Sequence, residues 1–577
     1  MNFLDLFSSK KKLVAPWSKY YQDSEMDIDI PDINMYDQIK KSSKLYPNNF
    51  AYEYFGKRVK FKNFIKKIDK CAIAFKRLGI RKGNIVTICL PNVPEALIVV
   101  YALNKLGAIA NMVHPLSAEG EIKESIISTN SKYLVMIDMF YDKIKNTIDS
   151  TGVRNVIFVS VSDSMNIFMK IGYKLTKGRE FEKYKSSNKF ISWNRFMLKS
   201  ITRKKYKFIR YGRDTAAVIL HSGGTSGKPK NVVLQNRAFV MASIQEGRVL
   251  KRLNVGDSVL TIMPNFHGFG LSVCMHTPMT LGMYTILIPQ FDAKKLDVLL
   301  KKTKPSVIVG VPTLFEALVS NNNIQDLNLS KIKYVISGGD LLTKSLEDRV
   351  NEYLSSRGSD AKITQGYGLS EALAAVCLAH DEINKSGSIG IPLPGNYIKI
   401  IEPSTRKNLP FNEVGEICIH TKALMVGYLN NESETNDALQ MHDDGYVWLH
   451  TGDLGLMDED GFIFYKGRQK RMIIVSGYNV YPAHVESVIE SHPAVLQCTV
   501  VGMPHKYKKE VPKAFIILKD GFHGLFIKNE IKEYCKKNLE HHMIPYKFVY
   551  RKKLPKTKIG KVDFRALMED NGDDDDE

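Results

Sequence analysis

The chain alternates between segments with helical spacing of apolar residues and short apolar runs typical of buried strands. Helical spacing occurs over Ile65–Leu78 and Glu95–Leu106, and apolar runs include Ile85–Leu90, Tyr133–Ile137 and Ala216–Leu220. This alternation is typical of helices packed on a mostly parallel sheet. The sequence therefore predicts an α/β fold for the large N-terminal part of the chain.

Changes in this pattern divide the chain into regions. Residues 1–35 are predicted to form an N-terminal arm, and the basic, weakly periodic residues 165–206 an insertion or surface excursion. A β-rich stretch runs from Tyr397 to Tyr465, and an α+β pattern begins after Gly467. The prediction is a large domain of helix-covered sheets with a β-rich subdomain at 36–467, a small mobile α+β domain at 468–569 and an acidic tail at 570–577.

Composition and charge exclude several classes of protein. With 577 residues, of which 44% are hydrophobic and 25% charged, the chain has the composition of an ordinary globular protein. Its net charge of +21 attracts anions, but the basic residues occur along the whole chain without aromatic-interleaved nucleic-acid motifs. We therefore expect anionic small-molecule ligands and no nucleic-acid partner.

Cysteine usage and hydropathy predict a cytoplasmic protein. The seven cysteines have no paired spacing, which fits a reducing compartment and argues against structural zinc. The most apolar long stretch, Ile85–Leu103, is interrupted by Pro91, Pro94 and Glu95 and does not predict a membrane span. The arm contains three consecutive lysines at 10–12, a charge that permits peripheral membrane contact.

A glycine-rich segment directly follows the predicted strand Ala216–Leu220. Its sequence is His221-Ser222-Gly223-Gly224-Thr225-Ser226-Gly227-Lys228-Pro229-Lys230. Glycines let backbone amides face phosphate oxygens, while the hydroxyls and lysines add donors and positive charge. The spacing differs from the P-loop, which needs glycine in place of Ser222 and Ser or Thr in place of Pro229. The alternatives are a phosphate-binding loop of another kind and a flexible surface linker.

Six further motifs follow this loop in a fixed order. They are Pro264-Asn265-Phe266-His267-Gly268, Ser337-Gly338-Gly339-Asp340, Gln365-Gly366-Tyr367-Gly368-Leu369-Ser370-Glu371, Thr451-Gly452-Asp453, Gly467-Arg468-Gln469-Lys470 and Leu554-Pro555-Lys556-Thr557-Lys558-Ile559-Gly560-Lys561. Any one of them can arise as a turn, but the whole ordered set makes chance a poor explanation. Together they resemble the adenylate-forming superfamily of acyl-CoA synthetases, luciferases and peptide-synthetase adenylation domains, from about Tyr36 to Leu567.

The resemblance implies ATP-dependent activation of a carboxylic acid. Attack of a carboxylate on the α-phosphate of ATP gives an acyl-adenylate and pyrophosphate, and the charge that gathers requires Mg²⁺ and positioned donors. Transfer to coenzyme A then needs a rearranged site, which this family forms by rotating its small C-terminal domain. The implied ligands are ATP, Mg²⁺, coenzyme A and a small-molecule carboxylic acid, and the implied domains are an AMP-binding domain at 36–467 and its C-terminal partner at 468–569.

The resemblance also gives each motif residue a role. The candidate catalytic residues are Lys561, Glu371 and His267, with Glu371 also the magnesium ligand. The candidate ATP- and AMP-binding residues are Ser222, Gly223, Gly224, Thr225, Ser226, Gly227, Lys228, Lys230, Gly338, Gly339, Asp340, Gln365, Gly366, Tyr367, Gly368, Ser370, Asp453 and Arg468. Asp453 is expected to accept both ribose hydroxyls and Tyr367 to stack on the adenine. The hinge is Lys470, and the residues along the coenzyme A path are Ser476, Gly477 and Tyr478.

Each role has an alternative, and some positions depart from the family pattern. Asp453 can be an ordinary turn aspartate, Glu371 a solvated acid at a helix start, and His267 a packed core histidine. The departures are Asn231, in place of a common glycine after the loop, and Arg471, His484, His505 and Lys509 in the C-terminal domain. Adenylation is therefore better supported than thioester formation.

The surroundings of His267 indicate which acid is activated. Amino-acid-activating relatives have an aspartate at this position, and an unpaired buried ammonium is costly. The apolar candidate walls Val309–Pro312 and Phe266–Leu271 suit an alkyl or aryl carboxylate, with a medium- or long-chain fatty acid as the leading hypothesis. The open alternatives are an acyl-AMP ligase or stand-alone adenylation enzyme that loads an acyl carrier protein, and a non-catalytic ligand-binding relative.

Overall fold

The structure is a computed structural model of a mixed α/β protein. It describes residues 13–176, 184–222, 230–320, 327–380, 383–476, 478–556 and 562–570. Among the helices in these ranges, none has both the length and the apolar surface that crossing a bilayer requires.

The described strands lie in four sheets. In chain order they are β1 Phe50–Tyr54, β2 Lys57–Lys60, β3 Ile85–Cys89, β4 Ile109–Met112, β5 Tyr133–Ile137, β6 Asn155–Val159, β7 Phe190–Ser192, β8 Ala216–Ser222, β9 Lys230–Gln235, β10 Ser258–Thr261, β11 Tyr284–Leu287, β12 Val307–Gly310, β13 Tyr334–Gly338, β14 Ile363–Tyr367, β15 Cys377–Leu378, β16 Ile391–Pro392, β17 Tyr397–Ile401, β18 Gly415–His420, β19 Gly427–Tyr428, β20 Leu439–Met441, β21 Val447–Met457, β22 Ile463–Arg468, β23 Ile473–Val475, β24 Tyr478–Val480, β25 Val495–His505, β26 Lys509–Leu518 and β27 Lys547–Tyr550.

The described helices alternate with these strands over most of the chain. They are α1 Asp23–Met26, α2 Met35–Leu45, α3 Phe61–Arg77, α4 Pro94–Lys105, α5 Glu119–Ser128, α6 Ile167–Leu175, α7 Trp193–Leu198, α8 Asn236–Val249, α9 Thr277–Thr280, α10 Leu296–Thr303, α11 Pro312–Ser320, α12 Lys344–Ser355, α13 Glu432–Ala438, α14 Pro482–Glu490, α15 Gly524–Asn538 and α16 Phe564–Glu569, and a π-helical segment, Phe269–His276, precedes α9. Helix α3 buries residues of one face, such as Phe61, Phe64 and Ile68, whereas α4 is buried along nearly its whole surface.

Two mostly parallel sheets form the large domain. The nine-stranded sheet has the order β16-β15-β14-β13-β12-β10-β11-β1-β2, and the eight-stranded sheet the order β19-β9-β8-β4-β3-β5-β6-β7. Parallel strands need both faces covered, and residues of α2, α3, α4 and α8 form one core with residues of both sheets. The predicted α/β class is therefore confirmed.

The β-rich subdomain is an antiparallel sheet in the order β17-β18-β21-β20, with β22 paired to β21. The described part of the N-terminal arm is attached to this sheet. Trp17 is fully buried with its ring 6.4 Å from the Tyr397 ring, and Lys19 Nζ lies 2.5 Å from Asp460 Oδ1. Residues 13–20 of the arm are thus a packed part of the large domain.

The chain changes sheets just after β22. Residues Gln469–Arg471 form a 3₁₀ turn, and β23 then begins a separate sheet with the order β24-β23-β26-β25 and β27 on β26. This sheet shares a core with α14 and α15. The prediction of a second, small α+β domain at the C-terminus is confirmed.

The predicted elements of the central region agree closely with the structure. Strand β5 has the predicted bounds, and α4 begins one residue before the predicted helix. The basic region 165–206, predicted as an insertion or surface excursion, contains α6, β7 and α7, and β7 pairs with β6 at the edge of the eight-stranded sheet. Part of that region extends the sheet.

Candidate active site

Two neighbouring parallel strands bring two of the predicted motifs together. In the register of β13 and β14, Gly338 lies opposite Gly366, so both motifs end at the same edge of the sheet. Gln365 Nε2 donates to the carbonyl oxygen of Asp340 at 3.4 Å, and Gly339 has a positive φ of 81° that favours glycine. The carboxyl ends of parallel strands are the usual ligand-binding edge of such sheets.

Asp453 lies on β21 of the other sheet, yet it contacts this edge directly. The Tyr367 hydroxyl donates to Asp453 Oδ2 at 2.6 Å, and Arg468 Nε lies 2.9 Å from Asp453 Oδ1. Arg468 also donates to the carbonyl oxygen of Thr451 at 3.1 Å, and Asp453 is only 1% exposed. Burial, with the Asp453 carboxylate as a second cause, raises the pKa of the Tyr367 phenol well above its ordinary value. Tyr367 therefore stays a neutral donor that fixes the orientation of the carboxylate.

A second layer of hydrogen bonds supports the turn before Asp453. Glu416 Oε1 accepts from the Gly452 backbone N–H at 3.0 Å, and Glu416 Oε2 lies 3.1 Å from His450 Nδ1. His450 Nε2 lies 2.9 Å from His442 Nε2. Glu416, Cys418 and His450 also bring potential metal-ligand atoms within 4.8 Å of one another, but both Glu416 oxygens already have protein partners. This cluster is therefore support for the strand.

Glu371 lies in a strained turn directly after β14. The Tyr428 hydroxyl donates to Glu371 Oε1 at 3.0 Å, and the Met425 N–H donates to the Glu371 carbonyl oxygen at 2.7 Å. Leu373, two residues further on, has a φ of 69°, which is unusual for a residue with a side chain. A Cβ on Gly368 would lie 1.0 Å from the Ala374 carbonyl oxygen, so only glycine fits there. The turn thus holds the partly buried carboxylate in place.

The two ends of the predicted phosphate loop are paired strand residues. Ser222 ends β8, and its partner in the register of β9 is Lys230. Lys230 Nζ lies 2.8 Å from Glu434 Oε2 and 4.6 Å from the centroid of the Tyr428 ring. Because Tyr428 also bonds Glu371, the loop ends and the predicted magnesium ligand are neighbours. The intervening candidates lie outside the described residues; they are Gly223, Gly224, Thr225, Ser226, Gly227 and Lys228.

His221, just before the loop, has a structural role that the motif does not reveal. Its Nε2 lies 2.8 Å from Asn111 Oδ1 on the neighbouring strand β4. Burial lowers the pKa of His221 to about 4, so the ring is neutral at ordinary pH. This contact holds the strand that carries the loop against the centre of its sheet.

The segment 264–268 is held by the chain before α4. Asn265 Nδ2 donates to the Pro91 carbonyl oxygen at 2.6 Å, and Asn92 Oδ1 accepts from the Asn265 N–H at 2.9 Å. A Cβ on Gly268 would lie 2.3 Å from the Leu373 carbonyl oxygen, so the segment packs directly on the Glu371 turn. His267, partly buried, is therefore next to the turn of the predicted magnesium ligand.

The predicted residues of the C-terminal domain are less enclosed. Lys470 lies in the 3₁₀ turn between the domains, and Ser476 has a φ of 51°. Tyr478 is 62% exposed, with its ring 4.8 Å from the His542 ring. Gly477 and Lys561 lie outside the described residues.

Two departures from the family pattern have clear structural settings. Arg471 NH2 lies 2.9 Å from Glu486 Oε1, and its guanidinium lies 3.4 Å from the centroid of the Phe564 ring. Lys509 has a φ of 68°, a backbone conformation that favours the glycine common in the family. Arg471 thus pairs with Glu486 of its own domain. Lys509 adopts the left-handed backbone conformation that the family's glycine would adopt.

Sheet order, strand-end motifs and a buried aspartate beside a tyrosine define the class of adenylate-forming enzymes. Residues 39–429 match the model of the family described as "AMP-binding enzyme". Residues 484–561 match the model described as "AMP-binding enzyme C-terminal domain". The chain belongs to this AMP-binding enzyme family. The predicted membership of the adenylate-forming superfamily and the prediction of an enzyme are confirmed.

Individual relatives agree with this family. A Bacillus subtilis (strain 168) protein named "Long-chain-fatty-acid--CoA ligase" is 29% identical over 96% of this chain and 98% of its own. A Dictyostelium discoideum protein named "Probable 4-coumarate--CoA ligase 1" is 31% identical over 78% of this chain and 79% of its own. The anthranilate CoA ligase AuaEII, solved with anthranoyl-AMP, has a TM-score of 0.81 at 22% identity over 94% of this chain and 98% of its own. The chain thus spans nearly the whole length of the first of these ligases.

Proposed function

We propose that this protein joins a medium- or long-chain fatty acid to coenzyme A in two steps, through an acyl-adenylate. The observation that carries the proposal is the buried Asp453 carboxylate, oriented by Tyr367 and Arg468 beside the strand edge of the sheet. A fixed carboxylate with two acceptor oxygens suits the vicinal hydroxyls of a ribose. Asp453 therefore binds the ribose of ATP and later that of the adenylate.

The first step forms a bond between a fatty-acid carboxylate oxygen and the α-phosphorus of ATP. The bond from that phosphorus to the bridging oxygen breaks, and pyrophosphate leaves with the electron pair. Ser222 and Lys230, at the ends of the loop, bind the departing phosphates, and Lys561 stabilises the charge that develops between carboxylate and phosphate.

The residues around Glu371 fit a magnesium ion. Mg²⁺ prefers hard oxygen ligands and is commonly held by one or two carboxylates together with substrate phosphates. Glu371 supplies such an oxygen, and Tyr428 orients it. When bound, the ion neutralises charge on the phosphates. Ser370, on the same turn, binds the α-phosphate.

The second step uses the thiol of coenzyme A. Its sulfur forms a bond to the acyl carbon of the adenylate and the thiol proton passes to solvent. The bond from that carbon to the phosphate oxygen breaks, and AMP leaves with the electron pair. The C-terminal domain rotates about Lys470 between the steps. Ser476, Gly477 and Tyr478 then line the path of the pantetheine chain.

The substrate class rests on the apolar surroundings of the 264–268 segment and on the full-length relative. Val309 and Met263, which directly precedes the segment, belong to one buried apolar cluster, and Phe269 packs against it. His267 offers no carboxylate for an amino-acid ammonium. The name of the Bacillus subtilis relative supports a long-chain fatty acid, and the name of the Dictyostelium discoideum relative supports an aryl acid as the second candidate.

The test is pyrophosphate release from ATP and Mg²⁺ with a panel of acids, with and without coenzyme A. We expect octanoate and palmitate to give pyrophosphate and, with coenzyme A, a thioester. Preference for 4-coumarate or benzoate would replace the fatty acid by an aryl acid. An acyl-adenylate without thioester would favour an acyl-AMP ligase or carrier-protein loading, and no reaction with any acid would contradict the proposal.

A further inference from the structure

Helix α6 has the opposite orientation from an ordinary surface helix. A surface helix normally buries its apolar stripe and exposes its lysines. Here Lys170 Nζ lies 3.6 Å from Asp163 Oδ1 on the inner side, while Ile167, Ile171 and Leu175 are 64%, 50% and 58% exposed. These three residues are spaced by four and lie one turn apart on the same side of the helix.

The exposed residues form one patch, which we call the α6 surface: Ile167, Phe168, Ile171 and Leu175. Phe168 is 83% exposed, so even its aromatic ring faces outward. Apolar side chains that are exposed one at a time are normal, but a contiguous group on one helix face marks an interaction site. The α6 surface is therefore suited to contact another apolar phase.

The charge of the chain that follows α6 indicates what that phase is. This basic chain lies towards the other end of α3 from the α6 surface, since Lys76 Nζ donates to the Lys207 carbonyl oxygen at 2.9 Å. Residues 165–176 and 184–210 contain eleven lysines and arginines and no aspartate or glutamate. Arg203, Lys204, Lys205 and Lys207 are exposed, and none of them forms an ion pair with a described residue. The chain has a net charge of +21, so more than half of its excess lies in these two ranges.

The basic run also alternates with exposed aliphatic side chains. Ile201 and Ile209, on either side of it, are both 73% exposed. Aliphatic side chains gain nothing from contact with a nucleic-acid backbone, and a second copy would bring a like-charged surface to the contact. An anionic bilayer satisfies both features, since it accepts apolar side chains at its headgroup boundary and attracts basic ones.

Helix α6 is fixed to the domain rather than loosely attached. Lys57 Nζ donates to the Ser164 carbonyl oxygen at 3.2 Å, just before the helix, and Ser164 Oγ donates to Glu95 Oε1 at 2.5 Å. Glu95 is the second residue of α4 and follows Asn92 by three residues, and Asn92 holds the 264–268 segment through Asn265. The α6 surface is thus anchored to the same short stretch of chain as that segment.

We propose that the α6 surface and the basic run 203–207 dock this protein on anionic lipid bilayers. Phe168 and Ile171 enter the boundary between headgroups and acyl chains, and the lysines and arginines bind lipid phosphates. This contact is independent of which acid the enzyme activates.

The test uses the full-length protein and sedimentation with vesicles of phosphatidylcholine, alone or with roughly a third phosphatidylglycerol. We expect binding to the anionic vesicles, much weaker binding to neutral ones, and a decrease with added salt. The double variant Phe168→Ser/Ile171→Ser should bind at least about tenfold more weakly, because two apolar side chains no longer leave water. Pyrophosphate release in solution and the melting temperature should stay unchanged.

A matched control comes from α15 in the C-terminal domain. Leu525 and Phe526 are 78% and 79% exposed, but residues 519–540 carry nearly balanced charge. Leu525→Ser/Phe526→Ser should keep vesicle binding. If it weakens binding as much as the α6 variant, the assignment to α6 is wrong. The single variant Phe168→Ser serves if the double variant does not fold.

A charge variant separates the bilayer from other partners. Arg203→Glu/Lys204→Glu/Lys205→Glu should abolish the preference for anionic vesicles. Vesicle binding that is insensitive to both the apolar and the charge variants would overturn the proposal. Binding to an RNA or DNA duplex instead of vesicles would assign the surface to nucleic acid, and a dimer that dissociates on Phe168→Ser would assign it to a second copy.

Discussion

The ribose end of the candidate site and the candidate residues of the C-terminal domain differ sharply in how firmly they are held. Asp453 is 1% exposed and contacts Tyr367 and Arg468, whereas Tyr478 is 62% exposed and lies beside the half-buried His542. In the proposed mechanism, the ribose is held in both half-reactions while the C-terminal contacts change between them. Under this proposal, the residues needed in both half-reactions lie in the large domain, and those needed only in the second lie in the domain proposed to rotate.

The largest effect should come from Lys561. Lys561→Ala should lower the rate of adenylate formation by about 10²- to 10³-fold, because one positioned charge is lost from the transition state. Thioester formation from supplied acyl-AMP should keep most of its rate. Pyrophosphate exchange measures the first half-reaction, and thioester formation from synthetic acyl-AMP measures the second. Lys556→Ala is the control. An equal loss of rate in both half-reactions would contradict the assignment of Lys561 to adenylation alone.

Asp453→Ala should damage both half-reactions. We expect kcat/KM to fall about 10²-fold for ATP and for acyl-AMP, since each hydrogen bond to a charged group contributes about 1.5–3 kcal/mol. Steady-state kinetics of each half-reaction measure this. The control is Asp460→Ala, an exposed aspartate of the same subdomain that pairs with Lys19. A loss confined to adenylation would show that the ribose contact is not shared.

Tyr478→Ala should affect the thioester step alone. We expect the KM for coenzyme A to rise by roughly three- to tenfold, which is the loss of binding expected when one partly exposed aromatic contact is removed. Adenylation in the absence of coenzyme A should be unchanged. Tyr507→Ala, at a similarly exposed tyrosine of the same domain, is the comparison; equal effects of the two changes would remove the specific role of Tyr478.

The effect with the least influence on activity concerns a buried carboxyl in the core of the large domain. Glu246, on α8, is 3% exposed, and burial raises its pKa from the ordinary 4.5 to about 8. Its stabilising contribution is therefore complete below about pH 4.5 and is lost as the pH rises through about 8. Glu246→Gln cannot ionise, so its melting temperature should rise relative to that of the wild type as the pH increases from about 4.5 to about 8.

The size of this effect has an upper limit. Linkage of one group gives at most about 1.4 kcal/mol per pH unit over that interval. The control is Glu352→Gln, at an exposed position on α12, which should follow the wild type at every pH. Parallel pH profiles for wild type and Glu246→Gln would contradict the assignment of a neutral buried carboxyl to Glu246.

The regular parts of the fold were predictable because their residues follow a local period. The bounds of β5 and α4 follow from apolar runs and helical spacing. The attachment of the arm was not predictable, because the short segment around Trp17 has no helical or strand period and its partner Tyr397 is distant in the chain. The same holds for β7, a three-residue strand in a basic region.

The candidate site was predictable only where a short motif marks it. Asp453, Tyr367 and Glu371 each belong to such a motif. Tyr428, which joins Glu371 to Lys230, and Glu416, which supports Gly452, have no local signal because their partners are distant in the chain. The positive φ of Leu373 could not be predicted from the sequence either, since such a conformation is normally marked by a glycine.

The sequence by itself determined the α/β class, the order of the motifs and hence the family, because periodicity and motif spacing are local properties of the chain. Only the tertiary structure decided which motif residues touch. The packing of two different sheets against each other places Tyr367 against Asp453, 86 residues away in the chain. The orientation of α6 was likewise decided by packing. Lys170 pairs with Asp163 on the inner side of the helix, and the apolar stripe of the helix is therefore exposed to solvent.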